Sequence, residues 1–133
     1  MAFDGLEKDA VVTKEVDNSV NTTDTIDNPF VCENTYDKIY LLSYQDLQNE
    51  EYGFYDDYSR CAKVTDYAKA VGACWNTASS YFNNGYYWLR SPSSIDCNGN
   101  EGYCATSEGA VENYLAFMSR YGIRVACTFD FNI

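Results

Sequence analysis

The stretch Tyr86–Pro92 constrains the fold of this chain most, because it opens with four large apolar or aromatic residues in a row. A run without polar alternation predicts a strand covered on both faces, in the middle of a sheet. Asn83–Gly85 precedes it, and Asn-Gly is the strongest short signal for a hairpin turn. Proline has no N–H to give to a neighbouring strand, so Ser91-Pro92 marks the strand's end. We therefore expect a central strand that follows a hairpin.

Arg90 places a fixed positive charge at the edge of this apolar run. An unpaired, desolvated guanidinium is strongly unfavourable, so Arg90 must reach carboxylates or backbone carbonyls. We interpret Trp88 and Leu89 as core residues and Arg90 as an architectural ion partner. The alternative interpretation is a catalytic arginine.

The N-terminal region predicts one helix and one long loop. Asp4 is a suitable N-cap, and apolar residues at three- and four-residue steps predict an amphipathic helix over residues 5–16. Asn, Thr and Asp dominate residues 17–35, which predicts a loop. We expect residues 1–36 to form an acidic helix and a polar loop attached to the rest of a single domain. We expect this region to be either a truncated N-terminal part or a naturally shortened one.

Residues 37–72 predict a strand followed by two short helices. An apolar strand is expected over residues 38–42. Ser43 with Asp46 three residues later forms a weak capping box, which predicts a helix over residues 44–51. Thr65 is placed to cap a further helix over residues 66–71, with Gly72 at its C-terminal end.

The C-terminal half predicts a small twisted antiparallel sheet. Besides the strand ending at Pro92, strands are expected over residues 102–106, 110–113 and 123–129, with a turn over residues 107–109. Side chains at alternate positions of a strand share a face, so the last strand should turn three side chains inward: Ile123, Val125 and Cys127. Residues 1–133 thus predict one α+β domain, with short helices early and the sheet late.

The net negative charge of the chain arises entirely from its first half. Residues 1–57 carry 14 acidic and 3 basic side chains, which equals the whole net charge of −11, and residues 58–133 carry 6 of each sign. Such a chain repels nucleic acid and anionic membranes, so neither is an expected partner. No apolar run approaches a bilayer-spanning length. Asp4, Glu7 and Asp9 do not suit the start of a signal peptide. The location is not defined by the sequence, and we expect a cell-surface, secreted or phage-particle protein.

The residue types needed for common catalytic and metal sites are scarce. The chain has no histidine, which removes the commonest general base and excludes Ser-His and Cys-His pairs. Asp56-Asp57 is interpreted as a solvated loop pair. Asp96–Asn100 carries oxygen ligands but lacks the later glutamate of a calcium loop, so no metal or cofactor is predicted.

Six cysteines could form three disulfides, but their spacing is not that of a zinc site. Free cysteine is among the most buried residue types, so we expect free and mostly buried thiols. If one bridge forms, Cys97 to Cys104 is the favoured pair.

Four segments in order resemble the motifs of a widespread, uncharacterised bacterial domain family. Tyr87–Pro92 resembles its W-W-L-R-S-P signature, Asp37–Ser43 its D-K-I-F-L-L-S strand, and Thr65–Ala70 its T-D-Y-A-K-A helix. Gly122–Ala126, which holds Arg124, is similar to its closing G-V-R-P-A strand. The sequence departs from the family pattern at three positions: Tyr87, Ser93 and Val125.

The resemblance implies a fold but no activity. The family resembles the C-type-lectin-like fold of formylglycine-generating enzymes and of retroelement-diversified binding proteins, and residues 37–133 would be its core. Neither the sugar-binding motifs of C-type lectins nor the motif around the enzymes' cysteine pair is present. In the diversified proteins the variable segment ends before a closing strand that resembles Gly122–Arg124. Because fold does not define function, the resemblance alone does not identify a ligand.

Residues 93–121 are rich in Ser, Asn, Tyr and Gly, the composition of antibody paratopes. We therefore predict a non-enzymatic module that binds a protein or carbohydrate ligand through six outward-facing residues: Tyr103, Asn113, Tyr114, Phe117, Ser119 and Tyr121. The alternative is that these aromatic residues are half-buried members of the sheet. Two other functions stay open: a structural domain of a larger cell-surface or phage protein, and an enzyme of unknown class.

Overall fold

A computed structural model describes residues 4–95 and 99–132. It is an α+β fold with short helices in the first half and small sheets that draw on both halves. The helices are α1 (Gly5–Ala10), α2 (Asp57–Arg60) and α3 (Asp66–Ala70), with single 3₁₀ turns at Val20–Thr22, Asp46–Gln48, Glu50–Tyr52 and Ser79–Tyr81. The strands are β1 (Val11–Val12), β2 (Lys14–Val16), β3 (Thr35–Asp37), β4 (Ile39–Leu41), β5 (Tyr87–Pro92), β6 (Glu101–Ala105), β7 (Val111–Leu115), β8 (Gly122–Ile123) and β9 (Val125–Phe129).

The strands form three small sheets. A four-stranded sheet has the order β7-β6-β5-β8, a three-stranded sheet has the order β1-β9-β4, and β2 pairs with β3. The pairing of β5 with β8 is parallel and the other pairings are antiparallel, so the C-terminal sheet is mixed and not antiparallel throughout. The N-terminal strand β1 lies at the edge of the sheet that contains the C-terminal strand β9.

The strand β5 is central, but only one of its faces is deeply buried. Tyr87, Leu89 and Ser91 are buried, whereas Trp88 and Arg90 are half-buried. The prediction of a strand covered equally on both faces is wrong, because the second face carries aromatic and charged side chains that reach solvent. The core cluster lies under the first face and consists of Leu47, Phe54, Tyr87, Leu89, Tyr103 and Ala105.

Asn83–Gly85 does not form the expected hairpin turn. Asn83 takes the positive φ of 71°, and its N–H donates to the carbonyl of Asn76. Gly85 instead packs so closely that an added Cβ would lie 2.2 Å from the Val64 methyl group. Asn84 pairs with Lys63, so this segment joins the preceding loop to β5.

Two predicted helices are shorter than the sequence pattern suggests. Asp4 caps α1 with a full capping box, but the helix ends at Ala10, where residues 11–16 become strands. The backbone N–H groups of Ser43 and Asp46 donate to each other's side chains, at 2.8 and 3.0 Å. In place of a helix over residues 44–51, two single 3₁₀ turns follow this pair, at Asp46–Gln48 and Glu50–Tyr52. The prediction that Thr65 caps a helix is confirmed, since its side chain accepts a hydrogen bond from the N–H of Ala68 at the start of α3.

The last predicted strand is divided at Arg124 between two sheets. Ile123 belongs to β8 and Val125 to β9, and their exposed fractions are 63% and 57%. The prediction that Ile123, Val125 and Cys127 face inward is therefore wrong, and Cys127 is only half-buried. The inward side chain is Arg124, whose guanidinium lies 5.3 Å from the ring centre of Tyr87.

Arg90 has the partners that its position in the sequence requires. Its Nη1 donates to the carboxylate of Asp46 at 2.7 Å and to the carbonyl of Leu41 at 2.8 Å. Its Nε and Nη2 both donate to the carbonyl of Asp17. Arg90 thus joins β5 to β4 and to the polar N-terminal segment.

The polar segment of residues 17–35 is attached to the sheet at Ser91-Pro92. The Ser91 hydroxyl donates to the carbonyl of Thr22 at 3.0 Å, and the amide of Asn28 donates to the carbonyl of Pro92 at 2.9 Å. Asp24 accepts hydrogen bonds from Ser94 and from Tyr103. The segment therefore covers the end of β5 with buried polar contacts.

Candidate binding surface

Four aromatic rings form a cluster on the outer face of the four-stranded sheet, opposite the core. The ring centres of Tyr86 and Tyr121 are 4.7 Å apart and nearly parallel, at 25°. Tyr114 meets these two rings edge-on at 6.1 and 5.6 Å, and Trp88 lies 5.2 Å from Tyr121. All four side chains are half-buried. We call Tyr86, Trp88, Tyr114 and Tyr121 the aromatic cluster.

Strand register explains why these rings meet. In β5, Trp88 points away from the core and is paired with Cys104 of β6. Tyr114 of β7 is paired with Gly102 of β6, so its side chain lies on the same face as Trp88. An added Cβ on Gly102 would lie 3.7 Å from the Trp88 indole, an ordinary van der Waals distance, so the indole lies against β6 at this position. Tyr121 immediately precedes β8 and completes the cluster.

The cluster is rich in hydroxyl groups that stay protonated at neutral pH. The hydroxyl of Tyr114 donates to the carboxylate of Glu112 at 2.8 Å, and this bond, with burial, raises the pKa of Tyr114 above its usual value. Burial, followed by the charge of Glu112, raises the pKa of Tyr86 as well. These phenols therefore offer neutral hydrogen bonds and ring faces, and they are not general bases.

Of the six predicted site residues, the structure brings Tyr114 and Tyr121 together in the aromatic cluster. Phe117 and Ser119 lie on the exposed loop between β7 and β8, and the exposed fraction of Phe117 is 74%. The N–H of Ala116 anchors the start of this loop to the carbonyl of Asn100. Phe117 and Ser119 thus lie on the segment that connects the two cluster tyrosines, while the role of all four residues in binding stays a prediction.

The other two predicted site residues do not face outward. Tyr103 is 5% exposed, belongs to the core cluster, and donates its hydroxyl to Asp24 at 2.7 Å. Asn113 is its partner in β7, is half-buried on the same side, and donates to Glu101. The outward placement of Tyr103 is therefore wrong, because strand register turns Tyr103 and Asn113 to the inner face.

Tyr86 is absent from the set of site residues predicted from the sequence, and Trp88, predicted as a core residue, is half-buried on the outer face. Both precede the segment of paratope-like composition, so composition alone gave no reason to include them. The signal that could have found them is alternation: if Tyr87 and Leu89 face the core, then Tyr86 and Trp88 face the other side.

The cysteines are less buried than expected. Among the described cysteines, which all carry free thiols, only Cys104 is buried; Cys32 is exposed and Cys61, Cys74 and Cys127 are half-buried. Burial, with the nearby charge of Glu112, raises the pKa of Cys104 to about 12, so it is not a ready nucleophile. Cys97, the predicted partner of Cys104, and most of the calcium-like stretch 96–100 lie outside the described residues.

Within residues 4–95 and 99–132, no three Cys, Asp or Glu side chains are grouped so that they could hold a metal ion. The same residues contain no helix with the length and apolar character needed to cross a bilayer.

Fold and surface together define a small α+β domain with mixed sheets and a half-exposed aromatic surface. The sequence profile of the family described as Domain of unknown function (DUF6273) matches residues 1–131, and the chain belongs to that family. Neither a curated protein nor a solved structure matches the chain significantly.

Proposed function

We propose that this protein is a non-enzymatic binding module whose ligand surface is the aromatic cluster with the adjoining loop of residues 116–120. The observation that carries the proposal is the contact of four rings on one sheet face with all four left half-exposed. A protein ligand fits this surface better than a small molecule, because the rings form a platform and not a closed pocket.

The surface has the properties of a recognition site for another macromolecule. Tyrosine and tryptophan give large contact areas at small entropic cost, and they are the residues most enriched at binding hot spots. Here their rings are held by mutual contacts, so little freedom is left to lose on binding. Phe117 is the most exposed ring near the cluster in sequence, and it offers an apolar side chain on a loop.

The finer part of the proposal is a C-type-lectin-like fold whose C-terminal surface is varied by a retroelement. Four ordered motifs and the composition of residues 93–121 support it. Adenine-directed mutagenesis of asparagine codons yields Tyr, Ser and Asp but never Trp, Glu or Met. On this proposal Tyr114 and Tyr121 are variable, whereas Trp88 belongs to a fixed platform. A reverse transcriptase gene nearby, with a near-copy of the coding sequence for residues 93–121, is the observation that would support variation.

Two alternatives remain. The first is a structural domain of a larger cell-surface or phage protein, in which the aromatic cluster packs against a neighbouring domain and binds no separate ligand. The second is an enzyme of unknown class. A raised thiol pKa at Cys104 and the lack of histidine make nucleophilic catalysis a weaker proposal than binding.

Selection of peptides from a random display library against the immobilised chain tests the proposal. Bound peptides should slow backbone amide exchange in β7 and β8 and in the loop between them. A structural domain with no ligand surface would yield no specific peptides, and peptides that protect other segments would place the site elsewhere.

A further inference from the structure

A concave site, separate from the aromatic cluster, lies between the β2–β3 pair and the β1-β9-β4 sheet. It is a half-open cleft of about 560 Å³ lined by residues of β2, β4 and β9 and by Arg90. This volume lies within the range of small-molecule sites. Three aromatic side chains border it: Tyr40, Tyr52 and Phe129.

The strongest charges of the cleft neutralise each other. Arg90 and Asp46 form an ion pair at 2.7 Å, and the remaining bonds of the Arg90 guanidinium go to backbone carbonyls of Leu41 and Asp17. Four hydrogen bonds thus occupy four of the five N–H donors of Arg90, which leaves little capacity to bind an anionic ligand. The cleft is therefore not built as a phosphate or carboxylate site.

The other charged groups favour a cation. Asp17 lines the cleft, and hydrogen bonds from Ser19 hold the pKa of its carboxyl below the usual value, so Asp17 is ionised at neutral pH. Glu15 also lines the cleft, but its carboxylate accepts a hydrogen bond from the side-chain amide of Asn34. Lys14 is the one further cation among the described lining residues, and its ammonium lies 5.8 Å over the ring of Tyr40. Lys14 takes part in none of the ion pairs between described residues.

The Lys14 ammonium lies beside the aromatic ring of Tyr40, at the wall of the cleft. An ammonium held over an aromatic ring is a cation–π arrangement, here between Lys14 and Tyr40. Here the cation belongs to the chain itself and is carried on a long, exposed, flexible side chain. A ligand amine could take the same place if Lys14 moved into solvent.

We propose that this cleft binds a small organic cation with an apolar body, and that the Lys14 ammonium occupies the cation's place in the free protein. The apolar body would lie along the rings of Tyr52 and Phe129. The net charge of −11 on the chain further favours a cationic ligand over a neutral or anionic one.

Three probes of similar shape and different charge test the proposal: phenethylamine, 2-phenylethanol and phenylacetate. Each is titrated into the ¹⁵N-labelled chain while amide chemical shifts are followed. Phenethylamine should shift amides of β2, β4 and β9, with an affinity at least about threefold higher than either other probe. Equal binding of the alcohol or the acid, shifts confined to other segments, or no shifts up to about 10 mM would overturn the proposal.

The sign of one substitution separates the proposed cation site from an anion site. Lys14→Gln removes the internal competitor, so it should tighten phenethylamine binding by about threefold. Lys38→Gln is the matched control, because it removes the same charge from an exposed position outside the cleft lining. Asp17→Asn should weaken phenethylamine binding. Weaker binding in Lys14→Gln, or equal tightening in both lysine variants, would contradict the proposed place of Lys14.

Discussion

The hydroxyl of Tyr103 donates a 2.7 Å hydrogen bond to the carboxylate of Asp24, 79 residues earlier in the chain. Asp24 also accepts from the hydroxyl of Ser94 and the amide of Asn28. Burial alone raises the pKa of Asp24, but the hydrogen bonds from Ser94, Tyr103 and Asn28 outweigh it and leave the pKa below its usual value of 3.8. One carboxylate therefore connects the polar N-terminal segment to the central sheet.

Asp24→Asn should destabilise the protein by about 2 kcal/mol at pH 7, because the replacement amide cannot accept the same set of charge-assisted bonds. The folded-state pKa of Asp24 is lower than its unfolded value, so its contribution is full above about pH 4 and is lost as pH falls through the folded-state pKa. Urea unfolding of parent and variant at several pH values measures this difference.

Asp27→Asn is the control for Asp24→Asn, since Asp27 is exposed in the same segment. We expect it to change the free energy of unfolding by less than about 0.5 kcal/mol. A stability gap between the parent and Asp24→Asn that stays constant from pH 7 to pH 3 would show that the Asp24 carboxylate is not the group responsible.

Gly109→Ala should be much more damaging than Gly72→Ala. Both glycines have left-handed φ values, 88° and 102°, so each alanine costs about 1–2 kcal/mol of backbone strain. A Cβ on Gly109 would also lie 1.6 Å from the carbonyl oxygen of Asp57, whereas nothing lies within 4 Å at Gly72. We expect Gly109→Ala to cost at least about 2 kcal/mol more, by chemical denaturation. If Gly109→Ala and Gly72→Ala lower the free energy of unfolding by similar amounts, the turn between β6 and β7 does not pack against α2 as described.

Tyr86 and Tyr121 should be energetically coupled through their stacked rings. A double-mutant cycle with Tyr86→Ala and Tyr121→Ala should give a coupling of about 1 kcal/mol in the free energy of unfolding. Tyr36 lies on β3 and is 71% exposed, so a cycle of Tyr36→Ala with Tyr121→Ala should be additive. Additivity in both cycles would contradict the aromatic cluster.

Capping residues and short apolar runs in the sequence predicted the capped segments and the approximate positions of several strands. Thr65 and Asp4 cap helices because their side chains need only a backbone N–H three residues away. The Ser43–Asp46 pair forms for the same reason. The length of the element that follows depends on distant packing, and two single 3₁₀ turns replace the expected helix there.

Long-range pairing decided what the sequence left open. Gly85 is held against Val64 and so forms no hairpin turn, and Arg124 divides the last strand because β8 joins β5 while β9 joins β4. For the candidate site, composition placed Tyr114 and Tyr121 in the predicted ligand surface, and their ring centres lie 5.6 Å apart, while their role in binding stays a prediction. It could not reveal which face of the sheet each tyrosine occupies, and so Tyr103 was misplaced.

The central claim is that the aromatic cluster is a ligand surface, and calorimetric titration of a library-selected peptide tests it most directly. The peptide should bind Tyr121→Ala at least about fivefold more weakly than the parent, as expected for a hot-spot tyrosine, provided that circular dichroism shows the variant folded. Tyr36→Ala, an exposed tyrosine outside the cluster, should bind within about twofold of the parent. If folded Tyr121→Ala and Tyr36→Ala both bind the peptide as tightly as the parent, the aromatic cluster is not the binding surface.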